Sequence, residues 1–221
     1  MPAKFERLTG AAAPFLQKNL NTQTIAPGKR PGDSDGGHRH MSPETSEPVD
    51  LFTSLRFNPE GEEIPEFVLN RPEFRAAKVL VVGENFGCGS SREAAVWALN
   101  AFGIRCVVAP SFGEIFANNC YKNGVLSVVL PSDEVQRFAD EAAPGAPTAL
   151  FTVDLTTTEI TTPSGRTVSF SIPAFRREQL LEGADEVELS VRRGGEIDAY
   201  HAAVRAQKPW RFAVDGAVNS G

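Results

Sequence analysis

An alternation of apolar runs and helical patterns in the middle of the chain constrains the fold more than any other sequence feature. Residues 79–82 form a continuous apolar run typical of a buried strand, and after a glycine-rich turn residues 91–101 show helical spacing of their apolar side chains. Residues 104–109 and 125–130 predict two further strands, separated by a helix over residues 112–121. Because strands that alternate with helices pair in parallel, this order predicts an α/β fold with a parallel βαβαβ core.

The second half of the chain carries a different pattern. Ser132 is placed to cap a helix over residues 135–142. Three β-rich runs and then two helical runs follow it, which predicts a β-meander beside the parallel core. These runs are residues 151–155, 159–162, 167–171, 175–181 and 196–204. We expect a single domain over residues 1–205 and a flexible tail over residues 206–221.

Composition excludes several classes of partner. The chain has 221 residues and a formal net charge of −6, which provides no general attraction to nucleic acid or to an anionic membrane. The first residues lack the apolar core of a signal peptide, and no stretch approaches the roughly 20 apolar residues that span a bilayer. We therefore expect a cytoplasmic protein.

The three cysteines do not have the spacing of a metal site. Cys88, Cys106 and Cys120 include no C-x-x-C pair and no nearby histidine cluster. Cys106 also falls inside the apolar run of a predicted strand, where its side chain is expected to face the core. We therefore expect no metal or other cofactor in this chain.

The turn at residues 83–93 is the candidate site. It lies between the end of a strand and the start of a helix, where unpaired backbone N–H groups and the helix dipole attract anions. Arg92 can add a bidentate contact to a carboxylate, and Ser90 and Ser91 would lie beside it. In a second interpretation Ser90 only caps the helix, with Glu93 completing a capping box. The two interpretations are compatible.

Nucleotide and hydrolase signatures do not match this turn. Arg92 occupies the place of the third glycine of a dinucleotide fingerprint, and neither a G-K-[ST] motif nor a G-x-S-x-G motif is present. The glycines therefore indicate an anion turn of another kind.

The same residues carry a family resemblance. Residues 84–93 read ENFGCGSSRE, residues 97–99 read WAL, and residues 109–112 read APSF. With residues 5–10, 50–70 and 170–177, they resemble the small subunits of the 3-isopropylmalate dehydratase family. The resemblance covers most of the chain outside residues 28–48 and the tail. It implies a swivelling β/β/α domain, related to the mobile last domain of aconitase.

This resemblance implies an activity that needs a partner. The family's large subunit carries a [4Fe–4S] cluster over which the small subunit closes, so the isolated small subunit is expected to be inert. The implied reaction is a hydro-lyase isomerisation of a branched hydroxy dicarboxylate by dehydration and rehydration. The implied substrate is 2-isopropylmalate, converted to 3-isopropylmalate in leucine biosynthesis.

The resemblance also implies residue roles. Ser90 corresponds to the serine whose alkoxide abstracts the substrate proton, while Ser91 and Arg92, next to Gly89 in the turn, bind a substrate carboxylate. Residues 28–48, rich in Gly, Pro, Ser and charge, form either a substrate or lid loop or an unstructured segment. Arg30 and Arg39 are the candidate substrate contacts in this segment.

Three positions depart from the family pattern. Asn21 and Gln23 stand where the family has aspartates, and Ala94 stands where it has a histidine. An amide cannot supply the negative charge that stabilises a protonated imidazole. Two alternatives therefore stay open: a related hydro-lyase subunit for a methylmalate- or homocitrate-type substrate, or a non-catalytic carboxylate-binding subunit.

Overall fold

A seven-stranded sheet organises the fold, as described by a computed structural model for residues 3–27, 51–143 and 149–211. The strands are β1 Arg7–Phe15, β2 Val79–Val82, β3 Cys106–Ala109, β4 Leu126–Val129, β5 Leu150–Asp154, β6 Glu159–Thr161 and β7 Thr167–Ser169. Their order across the sheet is β4-β3-β2-β1-β5-β6-β7. Strands β1 to β4 pair in parallel, and β5 to β7 extend the sheet with antiparallel pairs. The prediction of an α/β fold with a parallel core and a β-meander is confirmed.

Strand β1 joins the two halves of the sheet. Its residues 12–15 pair in parallel with β2, and its residues 7–11 pair antiparallel with β5. The sequence did not predict this strand, since five of its nine residues are Gly, Ala or Pro, which are depleted in strands. Pro14 pairs with Val81 and lies beyond the stretch that pairs with β5, so its missing N–H is tolerated.

Eight α-helices lie within the described residues. They are α1 Thr22–Ile25, α2 Thr53–Arg56, α3 Ala94–Phe102, α4 Glu114–Lys122, α5 Ser132–Glu141, α6 Ala174–Glu182, α7 Glu186–Arg192 and α8 Gly194–Gln207. Short 3-10 turns occur at Val68–Asn70, Pro72–Phe74 and Pro209–Arg211.

The helices differ from the sequence-based predictions in two positions and include some that were not predicted. The helix expected from residue 91 begins at Ala94. Ser132 was expected to cap α5, but it is the first residue inside the helix; Pro131 holds the cap position and no side chain caps the end. Helices α1, α2 and α7 were not predicted, because they have only four, four and seven residues and show no recognisable helical spacing of apolar side chains.

The core has one layer on each face of the sheet. Leu80 and Val82 of β2 pack into one apolar cluster, which includes residues of α1, α3 and α4. Val79 and Val81 pack into the other cluster, which includes residues of α5 and α6. Because both faces are covered, the central strands β2 and β3 are apolar at every position rather than at alternate ones.

Parts of the predicted organisation lie outside the described residues. The segment over residues 28–48 is one of them, and residues 212–221 of the predicted tail are another. Helix α8 continues to Gln207, and the division at residue 205 stays a prediction. Within the described ranges, no helix has the length and apolarity needed to cross a membrane.

We predict that Phe138→Ala lowers the free energy of unfolding by about 3–5 kcal/mol, because it empties a packed site. Phe138 is fully buried on α5, and its ring lies 5.4 Å from that of Phe151. Chemical denaturation of the full chain measures the change. As a control, Tyr200→Ala removes a ring that is 66% exposed and should change stability by less than about 0.5 kcal/mol. Equal effects of the two substitutions would contradict the two-layer core.

Candidate active site

The turn at residues 83–93 leaves the carboxyl end of β2 and docks on the segment that follows β1. The Gly87 N–H donates to the Leu20 carbonyl at 2.7 Å, and the Thr22 N–H donates to the Cys88 carbonyl at 3.0 Å. These backbone bonds fix the turn against α1 independently of its side chains.

The loop after β3 holds the same turn from its other side. The Phe86 N–H donates to the Ser111 carbonyl at 3.1 Å, and the Gly113 N–H donates to the Phe86 carbonyl at 2.9 Å. Loops that follow three adjacent parallel strands therefore meet at one edge of the sheet. In open α/β sheets this carboxyl edge is the usual place for a ligand.

Aromatic rings form the floor of the turn. Phe86 is fully buried, with the rings of Phe52, Phe112 and Phe116 at 6.4, 6.5 and 5.3 Å. Gly87 follows with φ of +74°, and a Cβ built on it would lie 2.2 Å from the Phe116 ring. Only glycine meets both conditions, so the backbone there cannot vary without moving the floor.

Two asparagines brace the turn beside this floor. Asn19 and Asn85 both adopt left-handed backbone conformations, with φ of 56° and 59°. The Asn85 side-chain amide donates to the Asn19 side-chain oxygen at 2.9 Å, and the Asn85 N–H donates to the Ser111 hydroxyl at 2.9 Å. Asparagine tolerates this backbone region better than most residues, so these bends are held at low cost.

The predicted site residues stand together on the exposed side of the turn. Gly89, Ser90, Ser91 and Arg92 are all exposed. Within the described residues, the backbone N–H groups of the first three have no hydrogen-bond acceptor, and the Arg92 side chain has no hydrogen bond or ion pair. A run of free N–H groups beside a free guanidinium matches the chemistry of a carboxylate.

The interpretation of Ser90 as a helix cap is wrong. Helix α3 begins at Ala94 with Glu93 in the cap position, and no side chain caps it. Glu93 instead accepts a 2.7 Å hydrogen bond from the side chain of Asn123, which also accepts one from the Trp97 indole at 3.1 Å. The start of α3 is thus tied to the end of α4, which leaves the Ser90 hydroxyl available for another role.

A contact that the sequence did not predict involves Ser90. The Thr22 hydroxyl lies 3.0 Å from the Ser90 carbonyl oxygen and 3.1 Å from the Ser90 hydroxyl oxygen. Thr22 stands between the two amides that depart from the family pattern, but no periodicity or motif indicated that it reaches a residue 68 positions away.

The two amides have different surroundings. The Asn21 side-chain oxygen caps α1 by accepting from the Thr24 N–H at 2.8 Å, and asparagine performs this task as well as aspartate. Gln23 is exposed on α1. Asparagine at position 21 therefore supplies the cap of α1, and neither Asn21 nor Gln23 places a negative charge beside the turn.

The remaining candidates divide into two groups. Arg30 and Arg39 lie outside the described residues. The cysteines are described: Cys106 and Cys120 are buried, and burial raises the pKa of both thiols. Over the described ranges, no group of three or more His, Cys, Asp or Glu side chains is arranged to hold a metal ion.

Comparison with known proteins finds similarity to 3-isopropylmalate dehydratase small subunits. A family model of the aconitase C-terminal domain matches residues 45–133. The 3-isopropylmalate dehydratase small subunit of Dinoroseobacter shibae is 47% identical, and that of Rhizobium meliloti 44% identical; each match covers 94% of this chain and 98% of the relative. A crystal structure of 3-isopropylmalate dehydratase from Methanocaldococcus jannaschii superposes with a TM-score of 0.55 at 24% identity, covering 88% of this chain and 99% of that one. The last likeness supports the fold.

We predict that Gly87→Ala destabilises the chain by about 2–5 kcal/mol, the combined cost of a left-handed backbone and of overpacking against Phe116. Thermal and chemical denaturation of the full chain measure it. Gly195→Ala is the matched control: a Cβ there meets nothing within 4 Å, and the residue lies in α8. That control should raise stability by roughly 0.4–1 kcal/mol. A Gly87→Ala chain as stable as the wild type would show that the aromatic floor is not rigid.

Proposed function

This chain belongs to the family of 3-isopropylmalate dehydratase small subunits, and from that premise we propose that it forms a two-subunit hydro-lyase with a cluster-bearing large subunit. The family resemblance inferred from residues 84–93 is thereby confirmed. The proposed reaction isomerises 2-isopropylmalate to 3-isopropylmalate by dehydration and rehydration, as a step of leucine biosynthesis in the cytoplasm.

One observation supports this proposal: the site residues form an exposed turn with free N–H groups above a buried aromatic floor. Free N–H groups at Gly89, Ser90 and Ser91 face solvent beside Arg92 within the described structure. An exposed turn of this kind can bind its ligand only from one side. The other wall of the active site must then come from another molecule, which supports a large subunit as partner.

Ser90 is proposed as the base that removes the substrate proton. A serine hydroxyl is a very weak acid, so its alkoxide forms only where fixed dipoles and positive charge are directed at the oxygen. The free N–H groups of the turn and the guanidinium of Arg92 supply both from this chain. Because these groups lie on a braced backbone, little reorganisation is needed when the charge develops.

Arg92, Ser91 and Gly89 are proposed to hold a substrate carboxylate. A guanidinium binds a carboxylate with two parallel hydrogen bonds, and the N–H groups of a glycine turn can approach the same anion closely. Arg30 and Arg39 stay candidates for further contacts with the substrate. Such contacts would affect which substrate is selected, because both arginines belong to the segment over residues 28–48, which departs from the family pattern.

The iron–sulfur cluster is proposed to lie on the large subunit. The described cysteines of this chain do not fit it, because Cys106 and Cys120 are enclosed in the core and only Cys88 is partly exposed. A cluster requires several thiolates that converge on one space. This chain is accordingly proposed to act as one swivel-type domain that supplies the base and the carboxylate site.

A related substrate is the second candidate function. Asn21 and Gln23 remove two negative charges beside the turn, and the segment over residues 28–48 departs from the family pattern. Such changes favour a shift of substrate within the same chemistry, towards a methylmalate- or homocitrate-type dicarboxylate. A non-catalytic carboxylate-binding subunit would keep the turn and lack turnover.

The proposed function predicts that the coexpressed two-subunit complex, prepared without oxygen, isomerises 2-isopropylmalate faster than any other hydroxy dicarboxylate. Absorbance of the alkene intermediate measures turnover, with citramalate-type and homocitrate substrates in parallel. Higher kcat/KM for one of these would favour the second candidate. Absence of turnover on every substrate, in a complex that binds them, would identify a non-catalytic subunit.

We predict that Ser90→Ala and Arg92→Ala fail in different ways in this complex. Loss of the base should lower kcat by several orders of magnitude with KM little changed, because its contribution arises in the transition state. Loss of the guanidinium removes a charge-assisted contact worth about 1.5–3 kcal/mol, so binding should weaken at least about tenfold. Steady-state kinetics and substrate titration measure the two effects.

Ser132→Ala is the matched control for the serine. Ser132 is exposed at the start of α5, and α5 packs on the sheet face opposite α3. Its kcat should equal that of the wild type. Near-normal turnover by the Ser90→Ala complex would remove Ser90 from the catalytic role.

A further inference from the structure

Thr22 is a buried polar residue that contacts the proposed base. It is 1% exposed, and it is the first residue of α1. Its backbone N–H donates to the Cys88 carbonyl, while its hydroxyl reaches both oxygens of Ser90. Thr22 therefore contacts the turn on both sides of Gly89.

The two hydroxyl contacts have a chemical consequence. A hydroxyl has one proton and two lone pairs, so Thr22 can donate to only one Ser90 oxygen at a time. The Ser90 carbonyl can only accept. When the Thr22 hydroxyl donates to this carbonyl, the Thr22 oxygen can accept a hydrogen bond from the Ser90 hydroxyl. The lone pairs of the Ser90 oxygen then stay free for solvent or substrate.

The same geometry serves a charged serine. If Ser90 loses its proton, it can no longer donate a hydrogen bond. Rotation about the Thr22 C–O bond then directs the Thr22 O–H at the Ser90 oxygen, which lies 3.1 Å away. Within the described residues, Thr22 is the one side chain that hydrogen-bonds the Ser90 hydroxyl. Thr22 is buried, so water has less access to its hydroxyl than to that of the exposed Ser90.

We propose that Thr22 is a positioning residue for Ser90: its hydroxyl holds the Ser90 side chain in place and donates to its oxygen when that oxygen is negative. The proposal rests on the proposed function, since it assumes that Ser90 is the base. It assigns a role to α1 that is independent of Asn21 and Gln23. Thr22 itself need not touch the substrate.

Thr22→Val tests the proposal in the two-subunit complex, because valine keeps the shape and removes the hydroxyl. We expect kcat to fall about a hundredfold, the scale of losing one donor to a developing oxyanion, with KM within about twofold of wild type. Thr22→Ser restores the hydroxyl and should recover kcat to within about threefold. In a Ser90→Ala background, Thr22→Val should lower kcat no further.

Thr24→Val is the matched control on the same helix. The Thr24 hydroxyl donates to the Asn21 side chain at 3.1 Å and contributes no bond to Ser90. Its complex should keep kcat within about twofold. Thermal melting of every variant separates lost assembly from lost rate, and Thr22→Ala gives a second hydroxyl-free variant whose rate loss should match that of Thr22→Val.

The outcomes are distinguishable. Wild-type kcat in Thr22→Val or Thr22→Ala, with Ser90→Ala inactive, would overturn the positioning role and leave the proposed function standing. A Thr22→Ser complex as slow as Thr22→Val would also overturn it, since the methyl group rather than the hydroxyl would then matter. Normal turnover by Ser90→Ala would instead remove the premise in the proposed function.

Discussion

The docking of the turn at residues 83–93 between two neighbouring loops is the constraint on which the site depends. Backbone hydrogen bonds tie Gly87 and Cys88 to the segment after β1, and tie Phe86 to the loop after β3. Main-chain bonds do not change with side-chain identity, so the position of the turn is set by the sheet itself. These bonds also fix the position of the exposed residues 89–92, which do not have to pack against the core themselves.

A division of labour follows along this short stretch of chain. Phe86 and Gly87 are buried and cannot change without displacing the Phe116 ring, whereas Ser90 and Arg92 are exposed and contribute nothing to the core. The residues that stabilise the turn and the residues proposed to carry its chemistry are therefore neighbours in the chain. Thr22 is the exception, because it is buried and its hydroxyl still contacts the exposed serine.

The sequence predicted the parallel core and the turn because both are encoded locally. Strands β2 and β3 are uniformly apolar, β4 has one serine among apolar residues, and the glycines follow the end of β2. Strand β1 was missed because its Gly, Ala and Pro residues have little strand preference, and its pairing partners alone make it a strand. The Thr22 contact was missed for a similar reason: it joins segments far apart in the chain, and no periodicity reports such a distance.

Strand β1 also sets an order of events during synthesis. It leaves the ribosome before the other strands, yet Ala12 pairs with Val79 and Arg7 pairs with Asp154. Both edges of β1 therefore stay unpaired until these later residues have been synthesised. A waiting strand offers unpaired backbone groups to other nascent chains, a known route to aggregation. The run of Gly10, Ala11, Ala12 and Ala13 presents little apolar surface during that interval. The Gly- and Ala-rich composition that gives β1 a weak strand preference thus also limits its tendency to aggregate while β2 and β5 have not yet been synthesised.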